Sequence, residues 1–160
     1  MTALIDRAGN DVALETLAGD VATVVVFVAN GCPTARAYVD RLVALHDTWA
    51  PSGVSVVAVN SNNSSLSPPD TPAEMAKSKF PFPYLKDEGG SVARKFDARC
   101  TPHAFLLDRE MSVVYSGRID DSRLGDRITA RDLNDAISAL VAGRPVPLSH
   151  TEPFGCSIVW

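Results

Sequence analysis

The chain has 160 residues, 46% hydrophobic and 21% charged, with a net charge of −4 at pH 7. That length supports one domain with a substantial core, so residues 1–160 read as a single domain. The acidic balance excludes nucleic acid as the main partner, since phosphate binding needs clustered Lys and Arg. No apolar run approaches the roughly 18 residues of a membrane span. Met1-Thr2-Ala3-Leu4-Ile5-Asp6 lacks a basic region followed by an apolar core, which reads as no signal peptide. Three cysteines is an odd count that suits a cytoplasmic protein with reactive thiols better than a secreted disulfide scaffold.

In chain order, Leu4-Ile5-Asp6 and Val12-Ala13-Leu14 flank a Gly-Asn turn and predict an N-terminal β-hairpin. Thr23 to Val28 is apolar without alternation, as in a strand buried on both faces. Pro33 then opens a helix predicted to run to about Trp49, with apolar or small residues at Ala35, Tyr38, Val39, Leu42, Leu45 and Trp49. Pro51 and Gly53 stop it, and Val54 to Val59 is a second apolar strand, completing a parallel βαβ unit.

Asn60 to Asp70 is a polar loop, long enough to suggest function or local disorder. Thr71-Pro72-Ala73-Glu74 is a helix start, with the helix expected to reach about Lys79. Pro81 and Pro83 force an extended path into Tyr84-Leu85, and Ser91 to Phe96 fits a short helix. Ala104 to Asp108 and Ser112 to Ser116 predict an antiparallel hairpin. Thr129 with Asp132 reads as a cap for a last helix whose buried stripe is Leu133, Ile137, Leu140 and Val141, ended by Gly143 and Pro145. Residues 146–160 show no clear period and read as an irregular tail.

Cys32 sits where the first buried strand turns into a helix. Unpaired backbone N–H groups and the positive end of the helix dipole meet there. A thiolate at such a place is stabilised and more nucleophilic at neutral pH. The alternative is an inert buried cysteine. Arg36, in the first turns of the helix, can lower the thiol pKa further or simply lie in solvent. His103 can exchange a proton near the thiol or help ligate a metal, or be a polar residue without such a role.

This element order, with a cysteine at the first strand-to-helix turn, resembles the thioredoxin fold: an α/β protein with a central mixed sheet flanked by helices. Asn30-Gly31-Cys32-Pro33, Val59-Asn60-Ser61-Asn62, Phe82-Pro83-Tyr84-Leu85, Cys100-Thr101-Pro102, Tyr115-Ser116-Gly117-Arg118-Ile119-Asp120-Asp121 and Gly155-Cys156-Ser157-Ile158 narrow the match. They resemble a peroxiredoxin-like branch of the thioredoxin superfamily, in colinear order from about Leu4 to Trp160. There are departures. That branch usually has His where Gly31 stands, an acidic residue where His103 stands and Lys where Val159 stands.

The resemblance implies thiol-based antioxidant chemistry, with a disulfide or peroxide substrate, a thiol reductant and no organic cofactor or metal. It marks Cys32 as nucleophile, Pro33 as the helix start, and Thr101-Pro102 as the superfamily's cis-proline loop, which packs beside the active turn. Position 35 is Ala35, so the usual Cys-x-x-Cys partner is absent. Cys100, beside the cis-proline loop, is the expected resolving thiol, and Cys156 in the tail is the second candidate. Arg118, Asp120 and Asp121 are expected to hold their loop by a carboxylate–arginine pair. True peroxiredoxins place a Thr three residues before the reactive cysteine, where this chain has Ala29. The leading expectation is therefore a thiol-disulfide oxidoreductase. The alternatives are a one-cysteine peroxidase, a Cu(I)-binding module using Cys32, Cys100 and His103, and a scaffold without redox activity. Oligomeric state is left open.

Overall fold

The structure is a computed structural model that describes residues 4–160; residues 1–3, part of the segment read for a signal peptide, lie outside the described residues. The elements in chain order are β1 (Leu4–Ile5), β2 (Asp11–Val12), β3 (Ala22–Phe27), α1 (Pro33–Ala37), α2 (Val39–Trp49), β4 (Val54–Asn60), α3 (Pro72–Met75) and β5 (Tyr84–Lys86). They continue with α4 (Ser91–Phe96), β6 (Cys100–Thr101), β7 (His103–Leu107), β8 (Val113–Gly117), α5 (Asp132–Val141) and β9 (Cys156–Ser157). A seven-stranded mixed sheet has the order β2-β1-β5-β4-β3-β7-β8, and β6 pairs with β9 in a separate two-stranded sheet. This is a thioredoxin-like fold with its N-terminal hairpin at one sheet edge.

β3 lies at the centre, parallel to β4 and antiparallel to β7. Successive strand side chains point to opposite faces, and the two faces hold separate cores. Val24 and Val26 pack with Tyr38, Leu42, Leu133 and Ile137, so α2 and α5 cover that face. Val25 and Phe27 pack with Val57, Val59, Val92, Ala93 and Ile158, so α4 and the tail cover the other. Burial on both faces explains why β3 and β4 read as unbroken apolar runs. Among the described residues no helix is long and apolar enough to cross a membrane.

Several local expectations are corrected. The helix after Cys32 breaks at Tyr38, whose hydroxyl donates to Asp120 Oδ1 at 2.9 Å. The Arg41 guanidinium caps the Tyr38 ring 3.7 Å from its centroid and pairs with Asp120. Thr71 does cap a helix, accepting from the Glu74 N–H, but that helix ends at Met75 rather than near Lys79. Thr129 does not cap α5; its hydroxyl and N–H donate to Asp121. Arg118 pairs with Asp132 at 2.6 Å and Asp120 with Arg41, so the loop is held from both sides by partners on other elements.

The tail is docked along its course. The Ser116 N–H donates to Ser149 O, the Thr151 N–H returns to Ser116 O, and Ile158 is buried in the second core.

Candidate active site

Cys32 is the N-cap of α1, with extended backbone, and Pro33 fills the first helical position. Proline is suited there because an N–H at that position lacks an intrahelical acceptor. The Ala35 N–H, one of the orphan donors of the first turn, points at Cys32 Sγ at 3.3 Å. On the other side, the Thr101 carbonyl oxygen lies 3.3 Å from the same sulfur. The Thr101–Pro102 peptide bond is cis. Cys32 itself is 2% exposed. Arg36 is exposed, and its guanidinium donates to the Asn30 carbonyl at 2.7 Å, bracing the turn from outside.

Cys32 is disulfide-bonded to Cys156, 124 residues away, with Cα atoms 5.9 Å apart. That separation is within the range a disulfide spans. The expectation that Cys100 would be the partner is corrected here. In the antiparallel pair of β6 and β9, Thr101 opposes Cys156 and Cys100 opposes Ser157. Residues opposite one another share a face and neighbours along a strand do not. Cys156 therefore stands on the Thr101 side, and Cys100 faces away. Cys100 is a free buried thiol, its sulfur 3.9 Å from Pro102 O, and burial pushes its pKa up.

Cys156 reaches this position because Gly155 precedes it. Gly155 has φ of 154°, and a Cβ there would stand 1.9 Å from the Thr101 carbonyl oxygen. Any side chain would push β9 off β6. Gly155→Ala is expected to leave all three thiols present while sharply reducing the yield of the Cys32–Cys156 bond after one equivalent of oxidant, read by peptide mass mapping. An unchanged yield would show that β9 docks without this close approach.

His103 is in β7, opposite Phe27, with its ring stacked on Phe105 at 4.3 Å between centroids. Its Nδ1 accepts from the Arg99 N–H at 3.2 Å, and its Nε2 is buried without a hydrogen-bond partner among the described residues. Burial, aided by the charges of Arg99 and His150, pulls its pKa down to about 4. It is a neutral core residue, which argues against the proton-exchange role considered for it. Among the described residues no group of three His, Cys, Asp or Glu side chains is placed to hold a metal ion.

A stability consequence follows. The unfolded chain protonates this histidine near its ordinary pKa of about 6.5, whereas the folded chain resists until about 4. Stability is full above that window and falls as pH drops through it, by about 3 kcal/mol in total. Urea midpoints measured across the window should decline, and His103→Leu should flatten the decline.

Beneath the active turn, the polar loop from Asn60 to Asp70 forms a buried hydrogen-bond network. Asp70, completely buried, receives the Asn30 N–H at 2.6 Å and the Gly31 N–H at 3.2 Å. It also accepts from Asn60 Nδ2 at 2.8 Å, Asn62 Nδ2 at 3.0 Å and the Ser67 hydroxyl at 2.5 Å. Burial alone would raise its pKa; the hydrogen bonds from Ser67, Asn62, Asn60 and Gly31 outweigh it and hold the carboxyl below its ordinary value. Lys86, 1% exposed, donates to the main-chain oxygens of Asn62 and Asp70, and its pKa is lowered by burial. The loop between these residues is thus tied at both ends, not disordered. The available signal was the polar Asn60-Ser61-Asn62 run directly following an apolar strand.

A thioredoxin-like fold that joins the cysteine of its first strand-to-helix turn to a second cysteine beside a cis-proline loop has the makings of a thiol redox protein. The comparisons with known proteins agree. Residues 2–116 match the AhpC/TSA family. The chain belongs to that family, which gives it a thiol-based redox role at the level of class. It is similar to the crystal structure of an uncharacterized conserved protein from Geobacillus kaustophilus, at 42% identity and TM-score 0.93, over 99% of this chain and 88% of that one. It is also similar to a hypothetical protein from Sinorhizobium meliloti 1021, at 35% identity and TM-score 0.90, over 99% of this chain and 90% of that one. A peroxiredoxin Q of Xanthomonas campestris shares the fold at 22% identity and TM-score 0.63, over 88% of this chain and 90% of that one. No curated protein matches the chain.

Proposed function

We propose that the protein is a two-cysteine thiol-disulfide oxidoreductase in which Cys32 attacks and Cys156 resolves. The observation that carries this reading is the Cys32–Cys156 bond, formed across the cis-proline loop. In the reduced protein the Thr101 carbonyl is placed to accept the Cys32 S–H, and the Ala35 N–H is placed to stabilise the thiolate once the proton leaves.

The Cys32 thiolate attacks one sulfur of a substrate disulfide, and the other sulfur departs as a thiolate. This leaves a mixed disulfide on Cys32. The Cys156 thiolate then attacks Cys32 Sγ and expels the second substrate thiolate, so the substrate gains two electrons and the protein holds the Cys32–Cys156 bond. A thiol reductant returns those two electrons. With a peroxide, the Cys32 thiolate takes one oxygen to become a sulfenic acid and releases the alcohol or water; the Cys156 thiol then attacks Cys32 Sγ, forms the disulfide and expels the sulfenic oxygen as water.

Disulfides are the favoured substrate class. The position three residues before Cys32 is Ala29, which offers no hydroxyl to a peroxide. The nearby Thr34 hydroxyl is engaged by Arg123 Nε at 3.1 Å. The test is turnover of bis(2-hydroxyethyl) disulfide and of hydrogen peroxide with glutathione as reductant. Saturable turnover of the disulfide, faster than that of peroxide and dependent on both Cys32 and Cys156, is the expected result. Faster peroxide turnover that survives Cys156→Ser would replace this reading with a one-cysteine peroxidase.

A further inference from the structure

The two sulfurs belong to segments that are remote in sequence, and one side chain touches the supports of both. Asn62 Nδ2 donates to Asp70 Oδ2 at 3.0 Å, and Asn62 Oδ1 accepts the Val159 N–H at 2.9 Å. The amide has one possible orientation, because a carboxylate needs a donor and an N–H needs an acceptor. Asp70 in turn holds the Asn30 and Gly31 N–H groups that lead into Cys32. Val159 is three residues beyond Cys156, and its carbonyl accepts the neighbouring Asn63 N–H at 2.7 Å. Between them, Ile158 is buried in the second core. The Asn62 backbone is itself fixed, since its N–H donates to Asn60 Oδ1 at 3.1 Å and its carbonyl accepts from Lys86 Nζ.

We infer that Asn62 is a positioning residue for the resolving cysteine. Its amide fastens the tail beyond Cys156 to the same carboxylate that fastens the turn before Cys32, so the two sulfurs are held on one frame. The inference rests on the Cys32–Cys156 redox couple proposed above. Asn62 touches neither sulfur, so it acts on how often Cys156 stands within reach of Cys32. The physical quantity is the effective concentration of one thiol at the other.

The test equilibrates protein with glutathione and its disulfide and quantifies the Cys32–Cys156 bond by acid quench and mass spectrometry. Asn62→Ala should lower the effective concentration roughly 10-fold or more. Alkylation of Cys32 by iodoacetamide in a Cys156→Ser background should change no more than about twofold, because the nucleophile itself is intact. Val159→Pro, which removes the tail's donor and leaves the Asn62 to Asp70 bond, should reproduce the loss. Combining the two should add less than about twofold more, the mark of one shared interaction.

An effective concentration unchanged in both single variants would overturn the inference and leave the redox couple standing. So would fully additive losses in the double variant. Failure of the unaltered protein to form the Cys32–Cys156 bond at any glutathione ratio would overturn the couple and the inference together. Val159→Pro leaves Asn62 and its bond to Asp70 in place, so it decides the question even if Asn62→Ala folds poorly.

Discussion

Cys156→Ser is expected to reduce steady-state disulfide turnover on the order of 100-fold or more, while Cys32 still reacts once. Without Cys156 nothing in the protein displaces the substrate thiol from Cys32, so the mixed disulfide accumulates there. Whole-protein mass should rise by one substrate thiol per chain, and peptide mapping should place it on Cys32. Cys100→Ser should change turnover no more than about twofold. Cys100 faces away from Cys32, and burial raises its pKa, which disfavours the thiolate. The opposite pattern, with Cys100→Ser inactive and Cys156→Ser active, would mean that the pair seen here is not the working couple.

Asp70→Ala has the largest expected effect on stability. The carboxylate receives two backbone N–H groups, two amide side chains and one hydroxyl, all from its own loop, β4 or the active turn. Each buried donor left without an acceptor costs about 1–3 kcal/mol. Even with water entering the gap, a loss of about 4 kcal/mol or more is expected, a large share of the 5–15 kcal/mol typical of a domain. Urea unfolding of the reduced protein measures it without a contribution from the disulfide. The folded carboxyl is held below its ordinary pKa, so this stabilisation is complete above the ordinary carboxyl range and fades as pH falls through the lower folded value. Asp70→Ala should show less acid sensitivity in that range. A loss below about 1 kcal/mol would show that the active turn does not depend on this carboxylate.

The parts of the fold set by local pattern were legible in the sequence. Thr23 to Val28 and Val54 to Val59 lack alternation because both faces are covered, and that is a property of each segment alone. Cys32 could be placed for the same reason, since the strand, the proline and the helical stripe are contiguous. What was missed depends on contacts between distant segments. The break at Tyr38 follows from Asp120, 82 residues on. The short α3 had sound start signals but no local signal for its early end.

The main departure is the partner of Cys32, expected to be Cys100 with Cys156 second and found to be Cys156. Its strand is two residues long, and its docking rests on one glycine facing a carbonyl 54 residues earlier in the chain, separations that spacing does not report. Cys156, Ile158 and Trp160 stand two apart at the chain's end, too short a run to read as a period. In the structure these bond to Cys32, enter the second core and meet the Arg94 guanidinium 4.4 Å from the ring centroid, respectively. Cys100 adjoins Thr101-Pro102 in sequence, yet adjacency along a strand puts two side chains on opposite faces. The Asp70 network was equally hidden, because a polar loop and a buried polar hub have the same composition.

The most direct measurement is the location of the bond formed when fully reduced protein meets one equivalent of oxidant, mapped by proteolysis and mass spectrometry with free thiols alkylated beforehand. The account predicts one linked pair, Cys32 with Cys156, and an alkylated Cys100 once the chain is denatured. A Cys32–Cys100 bond, or a Cys32 that ends as a sulfenic acid with Cys156 still free, would contradict it.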